Sequence, residues 1–525
     1  MTDNLEMQPS AWRRSAQPAS ALADALNVRP PARAASWPAL GFLAVVVTLA
    51  ATVRLSSLGH DSLCHTEAWR ANWCFEGGFD HARRFPPLQF LMGWGIQHYV
   101  GRTEAILRLP YALAGIFCVV LVYGLCRRWT GVAAGLLAAA VAATHPVLLY
   151  YSQRQKEFSL EAMMTAALLW GGWETYRRRS TAALIGFVAL SLVGLGLTFT
   201  SSLVIAAWLP VLGWTYLQSA AYQRRSTPVF LTAAGVLLVA GLGWYLWLAG
   251  CPNRDVYAHY YDVVEVAWPT GYAPRALAAW LGSALYGAAH FVLGMSDIWA
   301  PLNWLIGGFE LLTVAASVSV LWRKCRPLCC VVALLLLATI LAGAMRLWPL
   351  GNLRHTSFLI PIACVAIGCG LSELIRRLGA SPATVLLLAV CVFIPSVRAV
   401  RATVTAPRTY EHLRPVMQYV IAHRQADDAL FVHYFANDAF EFYWPALDMP
   451  LLIQPSVDRQ NLPAFATRFD DWLTLHPRVW FIFSHNWKDE RREWIGHLER
   501  NYAVVDKFQA GEASAHLLSR KNHIE

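Results

Sequence analysis

Gly59–Pro87 reads GHDSLCHTEAWRANWCFEGGFDHARRFPP, a polar stretch that follows the apolar run Trp37–Val53. That run is long and apolar enough to cross a bilayer. A second one begins near Ala105, after one short apolar segment. The polar stretch is therefore read as the first loop on the far side of a membrane. It carries Asp61, Glu67, Glu76 and Asp80 among tryptophans and arginines. Such side chains can grip a sugar ring or a phosphate.

Composition supports a membrane frame around this loop. The 525 residues are 56% hydrophobic and only 14% charged, against the roughly 25% charged that soluble domains carry. Apolar runs of roughly 17–25 residues recur from Trp37 to Val397, the length that spans ~30 Å of hydrocarbon. The chain is thus expected to be an α-helical polytopic membrane protein rather than a string of soluble domains. Its formal net charge of +10 sits in clusters between the runs: Arg127 and Arg128, Arg177–Arg179, Arg224 and Arg225, Arg323 with Lys324 and Arg326, and Arg376 with Arg377. Short basic loops stay cytoplasmic, so this charge sets topology and implies no nucleic-acid partner. Residues 1–36, rich in Ala, Pro, Ser and Arg, are expected to form a disordered cytoplasmic tail rather than a cleaved signal.

With the basic clusters inside, the spans fall at roughly 37–56, 105–126, 131–150, 158–176, 181–199, 202–219, 228–249, 300–322, 329–346, 357–375 and 383–398. About eleven crossings put the N-terminus inside and the C-terminus outside. Pro86–Val100 and Arg275–Met295 break this alternation and are assigned to interfacial or re-entrant helices. Residues 37–400 then form a transmembrane domain whose first outer loop is 57–104. From 401 to 525 the composition becomes that of a small soluble extracytoplasmic α/β domain, with helical periodicity over Tyr410–Arg424, Leu462–Leu475 and Glu490–Tyr502. Between these lie short strand-type runs at Leu430–His433 and Val479–Ser484; such alternation predicts a partly parallel sheet. The outer loop after Gly250, with Arg254, Asp255, His259 and Glu265, is either a cover over a site or a solvated linker. Eleven cysteines show no metal-ligand spacing, and no metal or other cofactor is expected. Cys64 and Cys74 share the first outer loop, either as a disulfide in an oxidising compartment or as two free thiols.

Chemistry concentrates in two further turns on the outer side. Tyr150–Glu161, YYSQRQKEFSLE, sets Arg154 and Lys156 where the charge rule makes bases scarce. Arg346–His355, RLWPLGNLRH, adds Arg346, Arg354 and His355. Together these cations can neutralise a phosphate at the membrane surface, where charge-assisted bonds strengthen as water is excluded. Snorkelling side chains at helix ends are the plain alternative. Passing a sugar from a lipid phosphate to a hydroxyl also needs a base. Glu67 is the first candidate, with His65 and Trp69 beside it, and Asp61 is the second.

In order, HTEAW (65–69), PPLQFLMGWG (86–95), RLPYALAGIFCVVLVYGL (108–125), YYSQRQKEFSLE (150–161) and RHTSFLIP (354–361) resemble the polyprenyl-phosphate-sugar-dependent glycosyltransferases of the C-type (GT-C) superfamily. The protein O-mannosyltransferase-like and aminoarabinose-transferase-like branches are included in that resemblance, which covers roughly Trp37–Arg377. It implies inverting transfer of a sugar from a polyprenyl-phosphate donor to an acceptor outside the cytoplasm, be it glycan, lipid or protein. Family members carry an Asp-Glu pair in the first outer loop; here Thr66 takes the Asp place and Glu67 the Glu place. Tyr151, Gln153 and Lys156 match the family's second outer motif near the donor phosphate, with Arg154 where an acid is common, and Arg354 matches a basic residue opening a late span. A lipid-linked sugar flippase and a catalytically silent relative with an assembly role are the competing readings. Richness in Ala and Arg points to a bacterial inner membrane.

Overall fold

The computed structural model describes residues 37–78, 82–218, 223–249, 268–269, 271–294, 300–379, 381–405, 409, 411–444, 449–454, 469, 471–485, 490–500 and 502–521. The expected tail 1–36, Asp80 and the acidic and aromatic residues between Gly250 and Glu265 lie outside them.

Helix α1 (Trp37–Leu55) leads into the first loop, which folds as α2 (His65–Glu76) and α3 (Pro87–Tyr99). Helix α4 (Glu104–Thr130) returns, followed by α5 (Val132–Thr144), α6 (Pro146–Ser152), α7 (Phe158–Arg178), α8 (Thr181–Leu197), α9 (Ser201–Gln218) and α10 (Gln223–Ala249). Next come α11 (Pro274–Val292), α12 (Ala300–Lys324), α13 (Arg326–Ala344), a 3₁₀ segment Leu353–Leu359 running into α14 (Ile360–Leu378), and α15 (Pro382–Thr405). The bundle core gathers Val119, Ala138, Leu168, Trp208 and Ile360 from α4, α5, α7, α9 and α14. Small residues let these helices approach closely, as is usual where lipid replaces water. A Cβ on Gly368 of α14 would stand 2.6 Å from the Ala138 Cβ of α5.

Five helical stretches among the described residues are long and apolar enough to cross a membrane: Trp37–Leu55, Glu104–Thr130, Thr227–Trp247, Arg326–Ala344 and Leu353–Leu378. Counting the bent pair α5/α6 as one span makes six, so eleven crossings exceed what length and hydropathy alone support. Residues 131–150, expected as one straight span, are instead bent by 55° at His145. Pro146 opens α6 and has no N–H to continue the α5 ladder. The carbonyls freed at the break are met from α1, where the fully buried Arg54 donates to Ala143 O at 2.8 Å and to Ala142 O at 3.1 Å. Of the two stretches set apart as interfacial or re-entrant, residues 87–99 and 275–292 are helical, within α3 and α11.

The C-terminal part builds a five-stranded sheet of order β2-β1-β3-β5-β4. Strands β1 (Ala429–Val432), β2 (Leu451–Ile453) and β3 (Arg478–Phe483) are parallel, whereas β4 (Tyr502–Ala510) and β5 (Ala513–Arg520) form an antiparallel hairpin beside β3. The expectation of a partly parallel sheet covers the first three strands. Helical periodicity from Glu490 to Tyr502 is cut short: α18 (Glu490–Leu498) ends early and Tyr502 opens β4. Alternation along β3 divides its side chains between two cores. Phe481 and Phe483 pack with Phe469 and Trp494 on one face. Trp480 and Ile482 pack on the other with α16 (Leu413–His423), α17 (Asn437–Tyr443) and, from the first loop and α4, Leu63, Ala68, Ala71 and Leu107. One apolar core therefore joins the sheet to the loop that carries Asp61 and Glu67.

Candidate active site

Arg108, one turn into α4, organises the first loop. It is 1% exposed, and each of its five N–H groups has a partner. Nε and Nη2 clasp Glu67 at 3.0 and 2.8 Å. The remaining donors reach Leu58 O and Asp61 O from Nη1 and Ser62 O from Nη2, at 2.9, 2.8 and 2.9 Å. Sequence reading passed over this residue as part of a span, although an arginine in an apolar helix signals an internal partner.

Glu67 is fully buried and saturated. Its Oε1 also accepts from Gln155 N at 2.6 Å, and its Oε2 from Cys64 N at 3.2 Å and Arg154 Nη1 at 3.5 Å. Burial alone would push the carboxyl up, but the charges of Arg108 and Arg154, with hydrogen bonds from Arg108 and Gln155 N, outweigh it and hold Glu67 well below the usual carboxylate range. A carboxylate has about four lone-pair directions, and all are taken here.

Asp61 lies beside this network under looser constraint. Its Oδ2 is 2.9 Å from Arg154 Nη1 and its Oδ1 3.4 Å from His412 Nδ1. Neither oxygen accepts a hydrogen bond of good geometry. Arg154, expected at a donor phosphate, is instead buried between the two acids and over the Tyr150 ring.

The chain from Gln153 to Glu157 threads this region residue by residue. Gln153 Nε2 ties to Val53 O and Ser57 Oγ, both at 2.8 Å, at the end of α1. Ser152 Oγ, one residue earlier, accepts from Arg54 Nε at 3.2 Å. A Cβ on Gly115 would fall 2.1 Å from that oxygen, so α4 needs glycine there. Tyr151 packs on Phe158, with ring centroids 4.5 Å apart. Half-buried Lys156 lies within electrostatic reach of Cys64, Glu157 and His355, and its ammonium makes no ion pair among the described residues. Glu157 pairs with Arg70 at 2.6 Å. Arg70 in turn lies over Trp69, 5.1 Å from the ring centroid, and is a second cation that sequence reading did not single out. Buried His355 sits between Phe158 and Trp348, with Arg354 beside it. Lys156, Arg354 and Arg70 thus all lie within electrostatic reach of His355.

His65, expected in a substrate loop, turns to the C-terminal domain. Its Nδ1 pairs with Asp438 at 2.9 Å, and its backbone N donates to Glu411 Oε2 at 2.5 Å. Thr66 is half-buried, and its hydroxyl lies 3.4 Å from Cys64 Sγ. Cys64 and Cys74 are free. Cys64 caps the start of α2 and Cys74 lies ten residues on within it, about 15 Å in rise, which rules out the disulfide. Burial pushes their thiols up, to about 11 and about 12.

No family model matches the sequence, and no curated protein does. Solved structures do match. ArnT from Cupriavidus metallidurans bound to undecaprenyl phosphate superposes with a TM-score of 0.56 at 15% identity, over 91% of this chain and 98% of that one. Apo ArnT gives 0.54 at 14%, with the same coverage. The archaeal oligosaccharyltransferase AglB from Archaeoglobus fulgidus, in complex with an inhibitory peptide and a dolichol-phosphate, gives 0.54 at 12%, over 93% of this chain and 75% of that one. Identity this low speaks to architecture alone: over nine-tenths of its length this chain shares the fold of ArnT and AglB.

Proposed function

We propose that this protein transfers a sugar from a polyprenyl-phosphate donor to a hydroxyl of an extracytoplasmic acceptor, with inversion, in an inner membrane that it crosses about eleven times with its C-terminal domain outside. The observation that carries the reading is the convergence of Lys156, Arg354 and Arg70 on His355, with Lys156 also in electrostatic reach of Cys64 in the loop that carries Asp61, in a GT-C fold. Lys156 and Arg354, with Arg70, neutralise the lipid phosphate as it leaves. Asp61 takes the acceptor's proton, and Glu67 and Arg154 hold the loop that presents it. Sequence order favoured Glu67 as the base; its saturated oxygens favour Asp61. Asp61 is closed off in this arrangement, so productive binding opens its Oδ2 side, where Arg154 is the group to displace.

One observation favours a second reading, transport of the lipid-linked sugar. Glu310 is buried within α12, and its Oε2 finds no hydrogen-bond partner among the described residues. A buried acid in a membrane helix is typical of an ion or substrate pathway. The deciding experiment supplies proteoliposomes with polyprenyl-phosphate sugars extracted from native membranes. Release of free polyprenyl phosphate, lost in Asp61→Asn, supports transfer. Movement of intact donor across the bilayer without release would replace it with transport, and neither event would leave an assembly role.

A further inference from the structure

We propose that a glycan acceptor binds in the crevice beyond the carboxyl ends of β1 and β3, with Phe435 as the platform for one of its sugar rings. The proposal rests on the reading of this chain as a glycosyltransferase and names the class of its acceptor.

The sheet topology makes the crevice. Strands β1 and β3 lie side by side and parallel, but the chain leaves them toward opposite faces of the sheet. After β1 it turns through the 3₁₀ segment Tyr434–Ala436 into α17, whose Ala439 and Phe440 pack on the face of Leu430, Trp480 and Ile482. After β3 it passes Ser484 and His485 and continues to α18, whose Trp494 and Leu498 pack on the face of Phe431 and Phe481. Neighbouring parallel strands whose connections diverge in this way leave a gap beyond their carboxyl ends, and open α/β sheets bind ligands there.

Both strand ends present groups suited to a ligand. From β1 come Tyr434 and Phe435, half-buried, with ring centroids 4.6 Å apart. From β3 comes His485, its ring edge-on to Phe435 at 5.1 Å. His65 of the first loop meets the same phenyl ring at 5.5 Å. Deeper in, Ser484 Oγ and, just past β2, Gln454 Oε1 are buried with no hydrogen-bond partner among the described residues. Buried polar atoms are almost always partnered, so these two mark room for one. Aromatic faces suit the C–H face of a sugar ring, and imidazole, hydroxyl and amide groups suit its hydroxyls. An anion fits poorly. Glu411 Oε1 and Glu512 Oε2 stand 3.1 and 3.7 Å from His485 Nδ1, and Arg491 of α18 turns to Glu512 O and Ser514 Oγ.

The crevice is tied to the loop that carries Asp61. Glu411 joins the two, with Oε1 toward His485 and Oε2 accepting from His65 N. In the residues that follow, His412 Nδ1 accepts from Ser62 N at 3.1 Å, and Arg414 N donates to Ser62 Oγ at 2.9 Å. Cys64 lies within electrostatic reach of Glu411 and of Arg154, the partner of Asp61 Oδ2. The crevice thus adjoins the side on which Asp61 opens, and a glycan seated on Phe435 extends a further hydroxyl toward it.

The test uses full-length protein in nanodiscs and needs no donor. Glycans released by mild acid from the native cell envelope are added, and saturation-transfer NMR reads which sugar protons touch the protein. Signals are expected with the wild type and with Phe435→Tyr, which keeps the ring. They should fall roughly fivefold in Phe435→Leu, which keeps apolar bulk without the ring, as for the loss of one aromatic contact. Undecaprenyl phosphate binding and the unfolding temperature confirm that this variant is folded; Tyr434→Leu gives the same reading if it is not. Undiminished signals in both leucine variants, or no sugar signal with the wild type, would overturn the proposal, as would saturation of an added Ser/Thr peptide in place of the glycans. Glycan binding at Phe435 without release of polyprenyl phosphate from the donor is a different failure: it removes the transferase reading and leaves a glycan site.

Discussion

Glu67 and Asp61 stand six residues apart in one loop, share Arg154, and differ in how far the protein uses them up. Glu67 is held by two arginines and two backbone amides. Asp61 has one ion pair on one oxygen and a facing imidazole nitrogen on the other. A carboxylate whose lone pairs are all engaged contributes folding energy and cannot take a proton without surrendering those bonds. One with an unfilled site keeps capacity for chemistry. Environment, more than residue type or motif position, separates a structural acid from a working one.

The largest expected effect removes the hub that makes Glu67 structural. Arg108→Ala leaves a buried carboxylate without its main partner, and Glu67→Gln leaves a buried guanidinium without its counter-charge. Each change should cost about 3–5 kcal/mol. Thermal unfolding in detergent would read this as a large drop in transition temperature, with activity lost alongside. A Glu67→Gln protein of wild-type stability that had lost only turnover would return the base to Glu67. Asp61→Asn should do the opposite: the fold stays, the lipid phosphate of the proposed donor still binds, and transfer falls by about 10²–10⁴. Binding of the lipid phosphate followed by tryptophan fluorescence separates that outcome from misfolding.

The loop and its acids were legible in the sequence because a polar stretch between two bilayer-length runs has one reading. Lys156, Arg354 and His355 stand out in the sequence because they fall in turns where the charge rule makes bases scarce. Strands β1 and β3 were visible as short apolar runs between helical periods, whereas β2 (Leu451–Ile453) was not read. What stayed hidden depended on distant partners. Arg108 meets Glu67 across 41 residues of sequence, so its place in an apolar run looked like filler. Arg154 carries the charge of a phosphate ligand, and only packing shows that two carboxylates take it. The hairpin of β4 and β5 was missed because helical spacing in Glu490–Leu498 continues by chance to Tyr502. The break at His145–Pro146 is a different case, since a proline in an apolar run is a local signal of a bend.

The cation cluster gives a smaller effect that bears on the Asp61 side of the comparison. Lys156→Ala and Arg354→Ala should each raise donor KM roughly tenfold, on the scale of about 1.5–3 kcal/mol for a hydrogen bond to a charged group. Unfolding temperature should barely move for Lys156→Ala, because its ammonium makes no ion pair among the described residues. Unchanged donor dependence in both variants would return these side chains to simple snorkelling.

The smallest expected effect separates the two acids by pH without any mutation. Glu67 has its pKa depressed, so its bonds to Arg108 and Gln155 N are fully present above the unfolded carboxylate value of about 4.3 and are lost only as pH falls through the lower folded value. His412 is also depressed, but as a base. Its neutral form is the folded form, so the Ser62 contact is complete above the unfolded value of about 6.5 and weakens as pH falls toward the folded one. A protonated Nδ1 cannot accept from Ser62 N and turns instead to Asp61. Between pH 7 and pH 5 the Ser62 amide should therefore lose hydrogen-exchange protection relative to its intrinsic rate, while the Gln155 amide keeps its own. Equal loss at both amides would mean that the loop opens as one unit. Equal retention would mean that His412 stays neutral throughout the range.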